Sequence, residues 1–77
     1  MSHMKLSKPG LNMKTIIVGF SGEPLVSERL KEMGLHQGLE IEMIGRAPFG
    51  GPILFQFGNT VLALRIEEAE CAIIQRS

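Results

Sequence analysis

The chain is poor in side chains that commonly act as nucleophiles, bases or soft metal ligands. It has one cysteine, Cys71, and two histidines, of which His3 lies in residues 1–4, a start that resembles an expression-tag remnant. A catalytic pair would need Cys71 or a serine beside His36, with a third group to orient the imidazole. All eight acidic residues are glutamates, so no aspartate is available for that role. We therefore predict that the protein is not an enzyme and has no catalytic residues.

Metal ligation by the same residues has little support. Structural zinc takes four ligands, usually paired cysteines and histidines, and only Cys71 and His36 remain outside the first four residues. Glu32 could join His36 across a helix end in what would be at most a weak, open transition-metal site. We predict no metal site and no cofactor, with Cys71 buried in a strand and His36 exposed in a turn.

Composition narrows the class of protein further. The 77 residues suffice for one domain, which we place at residues 5–77, and a hydrophobic content of 44% can fill its core without a disulfide. Eight basic and eight acidic residues give no net charge, which argues against nucleic acid as a partner. The chain has no run of about 18 apolar residues, so we expect no membrane insertion. A free cysteine without a secretory signal favours a cytoplasmic location.

One segment, at about residues 24–33, shows a clear helical pattern. Val26, Leu30 and Met33 recur at i, i+4 and i+7 and therefore share one face of a helix. Leu25 is expected to widen that apolar face. Charged residues fall mostly on the opposite side, so the pattern predicts a short amphipathic helix that packs on a core.

Both ends of this helix carry position-specific residues. Pro24 suits the first helical position, where its missing N–H would have no partner. Gly34 can adopt the left-handed conformation that ends a helix, and Leu35 can then fold back on Leu30 in a Schellman ending.

The other regular segments are short and β-branched or alternating, which is typical of strands. In one of them, Leu39, Ile41 and Met43 alternate with glutamates, and a two-residue turn at Gly58-Asn59 favours a tight hairpin of type I′ or II′. The predicted strands lie at residues 15–20, 39–44, 53–57, 60–65 and 71–75, and residues 67–70 form a helical turn. A further short strand could begin at Lys5, before the turn signal Pro9-Gly10. The predicted fold is mainly β: a small, partly open SH3-like β-barrel of about five strands with one short inserted helix. An OB-like barrel is the nearest alternative.

A loop rich in glycine and proline, residues 46–52, follows the second predicted strand; we call it the glycine–proline loop. Its aromatic residue, Phe49, either tucks onto the end of the barrel or is offered to a partner. We expect the first, because a lone aromatic in a loop usually finds cover. Arg46 and Arg65 are expected to flank the loop as solvated strand ends.

The order of these segments resembles a known family. The sequence RLKEMGLHQG at residues 29–38 is followed by RAPFGGPI at 46–53, LALR at 62–65 and EEA at 67–69. This set resembles the ferrous iron transport protein A (FeoA) family over nearly the whole chain. The resemblance implies a small cytoplasmic SH3-like accessory protein of ferrous iron uptake. Such a protein would be an interaction module that binds and modulates the cytosolic portion of the membrane ferrous iron permease, FeoB.

The same domain shape occurs at the C-terminus of metal-dependent repressors, so a metal-responsive sensing domain is the alternative function. For the leading hypothesis we predict six partner-binding residues: Arg29, Glu32, Met33, Gly34, Pro48 and Phe49. Maintenance of the fold is the competing role; it is favoured for Met33 and Gly34, and the two roles are balanced for Arg29 and Phe49. Self-association through an exposed strand edge is a further expectation.

Overall fold

The computed structural model describes residues 3–77. Its elements in chain order are β1 (Met4–Lys5), β2 (Lys14–Phe20), α1 (Pro24–Glu32), β3 (Glu40–Arg46), β4 (Ile53–Phe57), β5 (Thr60–Leu64), α2 (Ile66–Ala69) and β6 (Ala72–Arg76). The strands form one six-stranded antiparallel sheet in the order β1-β6-β2-β3-β4-β5. Within these residues β1 and β5 are the edge strands and do not pair with each other, so the sheet is not closed.

The mainly β architecture with an inserted helix is confirmed, but the strand count was too low. The additional strand is β1, in which Met4 lies opposite Ile74 and Lys5 opposite Ile73 of β6. The sequence allowed a short strand that begins at Lys5, and the pairing with β6 establishes one at Met4–Lys5. The predicted helical turn at residues 67–70 is the short helix α2.

The first predicted strand is central in the sheet, as its apolar character on both faces indicates. β2 lies between β6 and β3, and its residues Thr15 and Ile17 are buried. The hydroxyl of Thr15 donates a hydrogen bond to the carbonyl oxygen of Ile41, at 2.7 Å. That bond satisfies a buried polar side chain and links β2 to β3.

The end of α1 has the predicted Schellman geometry. Gly34 has φ +104°, its N–H donates to the carbonyl of Lys31, and the N–H of Leu35 donates to the carbonyl of Leu30, both at 3.0 Å. Leu30 and Leu35 are fully buried. Leu25 does not widen the apolar face of α1, because it lies in the first turn and is 75% exposed.

The core is one cluster of buried side chains, to which the sheet, α1 and α2 all contribute. Its largest fully buried apolar side chains are Leu6, Ile17, Leu30, Leu35, Ile41, Met43, Ile53, Phe55, Leu64 and Ile74. Val26 and Met33 of α1 are partly buried against this cluster. The predicted inward face of β3 is therefore confirmed for Ile41 and Met43.

Two glycines shape the β3–β4–β5 meander. The register of β3 against β4 shifts between Met43 and Gly45, which marks a β-bulge, and a Cβ at Gly45 would lie 3.4 Å from the side chain of Leu54. In the β4–β5 hairpin Phe57 pairs with Thr60, and Gly58 has φ +57°. A positive φ at the first turn residue alone is typical of a type II′ turn.

Candidate functional site

A surface cleft of ≈ 600 Å³ lies between the end of α1, the glycine–proline loop and the junction of β5 with α2. We call it the edge cleft. Its lining includes Arg29, Met33, Pro52, Ala63, Arg65 and Glu68. It therefore brings together elements that are separated by more than thirty residues in the sequence.

Glu68 organises the floor of the edge cleft. One carboxylate oxygen, Oε1, accepts the backbone N–H of Arg65 at 2.9 Å, which satisfies a free donor at the start of α2. The other oxygen, Oε2, accepts from Nη2 of Arg29 at 3.3 Å. Glu68 is 15% exposed and Arg29 is 62% exposed, so the ion pair places a largely solvated guanidinium beside the cleft.

The glycine–proline loop is held by two backbone hydrogen bonds. The N–H of Ala47 donates to the carbonyl of Pro52 at 2.9 Å, and the N–H of Gly51 donates to the carbonyl of Pro48 at 3.2 Å. A Cβ at Gly51 would lie only 2.8 Å from that of Ala47, so the loop can close this tightly only with glycine there.

Phe49 is at the tip of this loop and is fully exposed. The expectation that it tucks onto the barrel end is wrong. Phe49 and Gly50 have φ angles of 61° and 74°, which together with the Gly51–Pro48 hydrogen bond define a type I′ turn. A left-handed conformation costs a non-glycine residue about 1–2 kcal/mol. The turn therefore holds a bulky aromatic side chain in solvent in a conformation that favours asparagine or glycine.

The structure brings only some of the six predicted partner-binding residues together. Arg29 and Met33 line the edge cleft, whereas Glu32 and Gly34 do not. A Cβ added at Gly34 would lie 3.5 Å from the ring of Phe57. The φ angle of +104° at Gly34 agrees with its role in ending α1.

Pro48 and Phe49 lie in the adjoining loop, whose next residues, Gly50 and Gly51, line the cleft. Sequence reasoning missed Glu68. The available signal was a glutamate at the third helical position of α2, which is typical of a capping box.

The residues considered as metal ligands remain apart from this cleft. His36 is exposed, with Nδ1 3.0 Å from the carbonyl oxygen of Gln37. Cys71 is buried, as predicted, but it lies in the turn before β6 rather than in a strand. Residues 3–77 contain no group of three or more histidines, cysteines or acidic residues that could hold a metal ion. In the same part of the chain, no helix has the length and apolar character needed to cross a bilayer.

Comparison with known proteins places these features in a family. The FeoA domain model matches residues 4–76. An iron uptake regulatory protein (FeoA) of known crystal structure is 26% identical, with a TM-score of 0.87 over 99% of this chain and 100% of that chain. FeoA from Stenotrophomonas maltophilia, an SH3 domain protein crystallised with zinc, is 32% identical, with a TM-score of 0.80 over 94% of this chain and 89% of that chain. No curated protein matches the chain.

A manganese-dependent transcriptional repressor has the same domain shape, with a TM-score of 0.87 over 97% of this chain and 42% of that chain. At 13% identity the likeness shows the fold alone. The molecule is thus an SH3-like domain with an open sheet, as predicted, rather than an OB-like barrel. It belongs to the FeoA family, a family of small SH3-like proteins associated with ferrous iron transport that is not a known enzyme family.

Proposed function

We propose that this protein is an accessory factor of ferrous iron uptake that binds the cytosolic portion of the membrane permease FeoB and modulates uptake. Membership of the FeoA family supports the process, and one relative is described as an iron uptake regulatory protein. The proposed activity is binding to a partner protein, so no residue of the chain is given a catalytic role.

The observation that carries the proposal is Phe49. A fully exposed phenylalanine with φ 61° costs folding free energy through its backbone conformation and gains none from burial of its ring. Strained residues of this kind persist mainly at functional positions. An exposed aromatic anchor beside a polar cleft is a typical centre of a protein–protein interface.

The neighbouring groups complete the proposed surface. Pro48 stiffens the turn that presents Phe49, and Arg29 offers a guanidinium that is 62% exposed beside the edge cleft. Arginine and aromatic side chains are the two types most enriched at interface hot spots. The proposed interface therefore centres on Phe49, with Arg29 contributing at its margin.

The test is calorimetric titration of the purified cytosolic portion of FeoB with Phe49→Ala and Arg29→Ala. A hot-spot aromatic contributes about 2 kcal/mol or more, so Phe49→Ala is expected to weaken binding roughly 30-fold. For Arg29→Ala we expect a loss of about fivefold. Loss of the exposed Arg29–Glu68 pair costs at most about 1 kcal/mol of stability, so this variant should fold.

Matched controls are Leu11→Ala, an exposed apolar residue elsewhere, and Arg76→Ala, an exposed arginine at the end of β6. Both should bind like the parent protein. If Phe49→Ala and Arg29→Ala fold and bind normally, the proposed surface is wrong. If the parent protein shows no binding, FeoB is not its partner. Iron uptake in cells that lack the protein, complemented with the same variants, then connects binding to function.

A further inference from the structure

Among residues 3–77, no strand pairs with the outer edge of β5. Phe57 and Thr60 are opposite each other and flank a two-residue turn. In such a hairpin the flanking pair exchanges hydrogen bonds, and every second pair after it does the same. Thr60 and Leu62 therefore direct their N–H and C=O groups towards β4, whereas Val61 and Ala63 direct theirs outwards.

The next outward-directed residue, Arg65, supports this alternation. Its N–H is taken by Oε1 of Glu68 at 2.9 Å. Its carbonyl accepts from the N–H groups of Glu68 and Ala69, both at 3.0 Å. The edge is thus closed at Arg65 by α2 and open at Val61 and Ala63, which leaves two donors and two acceptors for an added strand.

The outer face beside this edge is apolar. Val61 is 57% exposed and Leu54, which lies opposite Ala63 across the hairpin, is 41% exposed. Charged residues, prolines and register shifts usually prevent an edge strand from pairing. Residues 60–64 have none of these features against β4.

Charge beside the edge indicates what kind of segment fits there. Arg65 is on the same outer face, two residues beyond Ala63, and it lines the edge cleft together with Arg29, Glu67 and Glu68. Among residues 3–77 the carboxylate of Glu68 is paired with Arg29, and Arg65 makes no ion pair. An incoming strand that places a carboxylate opposite Arg65 would supply the missing charge.

We propose that β5 receives an extended, acidic segment of a partner polypeptide as an added antiparallel strand, held by the four backbone groups of Val61 and Ala63. Main-chain bonds give such complexes their affinity, and alternate side chains give specificity. In antiparallel pairing the segment has the pattern acidic-x-apolar-x-apolar from its N-terminus. Its acidic residue lies opposite Arg65, and its two apolar residues lie opposite Ala63 and Val61. The inference rests on the proposed function for the source of the segment, the cytosolic portion of FeoB.

A second copy of this chain is a poorer occupant. Two-fold pairing that sets Val61 against Ala63 of the second copy places Arg65 opposite Asn59 of that copy. Residues 59–65 contain no acidic group, so Arg65 would remain without a counter-charge.

The first experiment titrates the ¹⁵N-labelled protein with a capped peptide, Thr-Glu-Thr-Leu-Thr-Val-Thr. We expect saturable shifts that are largest at the amides of Val61 and Ala63. A peptide with lysine in place of glutamate should bind about tenfold more weakly, and Arg65→Glu should reverse that preference. Arg76→Glu is the matched control and should not reverse it. Shifts that leave Val61 and Ala63 unchanged would overturn the proposal.

The second experiment removes a single backbone donor by chemical synthesis of the protein with N-methylated Ala63. Its N–H makes no bond within the sheet, so the fold should persist, which the NMR spectrum checks. Peptide binding should fall at least tenfold. N-methylation of Lys5, on the β1 edge, is the control and should leave binding unchanged. Equal binding by both synthetic proteins would contradict strand addition.

The same synthetic proteins separate this inference from the proposed function. If FeoB binds the parent and the Ala63-methylated protein equally, the proposed function stands and strand addition is wrong. If FeoB does not bind the parent but the peptide results hold, the proposed function fails and strand addition stands. Concentration-dependent shifts of Val61 and Ala63 without peptide would identify a second copy as the occupant and contradict the proposal.

Discussion

The two edges of the sheet are protected to very different degrees. β1 is two residues long, and its outward-directed residue is Lys5, whose carbonyl already accepts the N–H of Lys8 at 2.9 Å. β5 is five residues long and uncharged, and its outward groups at Val61 and Ala63 have no backbone partner in the described part of the chain. Short length and a lysine are recognised defences against edge pairing, and only β1 has them.

The difference between the edges extends to the surfaces around them. Of the five large exposed hydrophobic residues that the structure describes, three lie on or beside the β4–β5 hairpin: Phe49, Leu54 and Val61. The edge cleft and its two arginines are on the same side of the molecule. A local turn protects one edge of the sheet. At the other edge, apolar side chains, unpaired backbone groups and a strained aromatic residue lie exposed, so this side of the molecule is suited to a partner.

The strongest test of the open edge compares two prolines in β5. Leu62→Pro removes an N–H that bonds β4 and leaves a carbonyl of β4 unpaired, so we expect the free energy of unfolding to fall by about 3 kcal/mol. Ala63→Pro removes an outward N–H and should cost about 1 kcal/mol or less. Urea denaturation measures both, with Leu62→Ala as the control for the lost side chain. Similar costs would show that the outward groups are wrongly assigned.

The second test concerns Glu68, whose carboxylate binds the N–H of Arg65 and so closes the edge at the end of β5. Glu68→Ala removes both the bond to the Arg65 N–H and the ion pair with Arg29, and should lower the free energy of unfolding by about 1 kcal/mol. Hydrogen exchange of the Arg65 amide should accelerate. Glu67→Ala is the matched control, because no bond by the Glu67 carboxylate is present in residues 3–77. An unchanged exchange rate of the Arg65 amide in Glu68→Ala would show that Glu68 does not close the β5 edge.

The third test asks whether the strained turn is kept for binding rather than for stability. Phe49→Asn places Asn-Gly in a type I′ turn, the preferred pair there, and should raise the free energy of unfolding by about 1 kcal/mol. Binding to the cytosolic portion of FeoB should fall. Phe49→Ala keeps the strained Cβ, so it should lose binding without the stability gain. A destabilised Phe49→Asn protein would show that the turn conformation is not strained.

The smallest effect is expected at the protected edge. Lys5→Val removes the charge of β1 but leaves the Lys5 carbonyl bonded to Lys8. We expect a change in stability within about 0.5 kcal/mol, no new peptide binding and no self-association in sedimentation. Association of the Lys5→Val protein would show that charge, rather than the Lys8 bond, protects this edge.

The elements that could be predicted from the sequence are those with a local cause. Val26, Leu30 and Met33 indicated the face of α1, and Gly34 indicated its end, because helix periodicity and left-handed glycine are properties of neighbouring residues. Alternation in β3 likewise indicated its inner face. β1 was indicated only as a short strand near Lys5 that the count of about five strands left out, because a two-residue strand exists only through its pairing with β6.

The candidate site was predictable only in part for the same reason. Arg29 and Phe49 were named from residue type and position in a motif. The exposure of Phe49, however, depends on a turn that the Gly51–Pro48 hydrogen bond closes, and the burial expected from its residue type was wrong. The role of Glu68 depends on two partners, one of them 39 residues away.

The sequence by itself therefore determined the class of fold, the helix with its ends, the inward faces of the strands and the resemblance to FeoA proteins. These features follow from short-range periodicity, turn chemistry and motif order. Only the tertiary structure decided which strands are edges, which backbone groups remain unpaired and which side chains meet at the edge cleft. Those properties arise from contacts between distant segments, which no local pattern records.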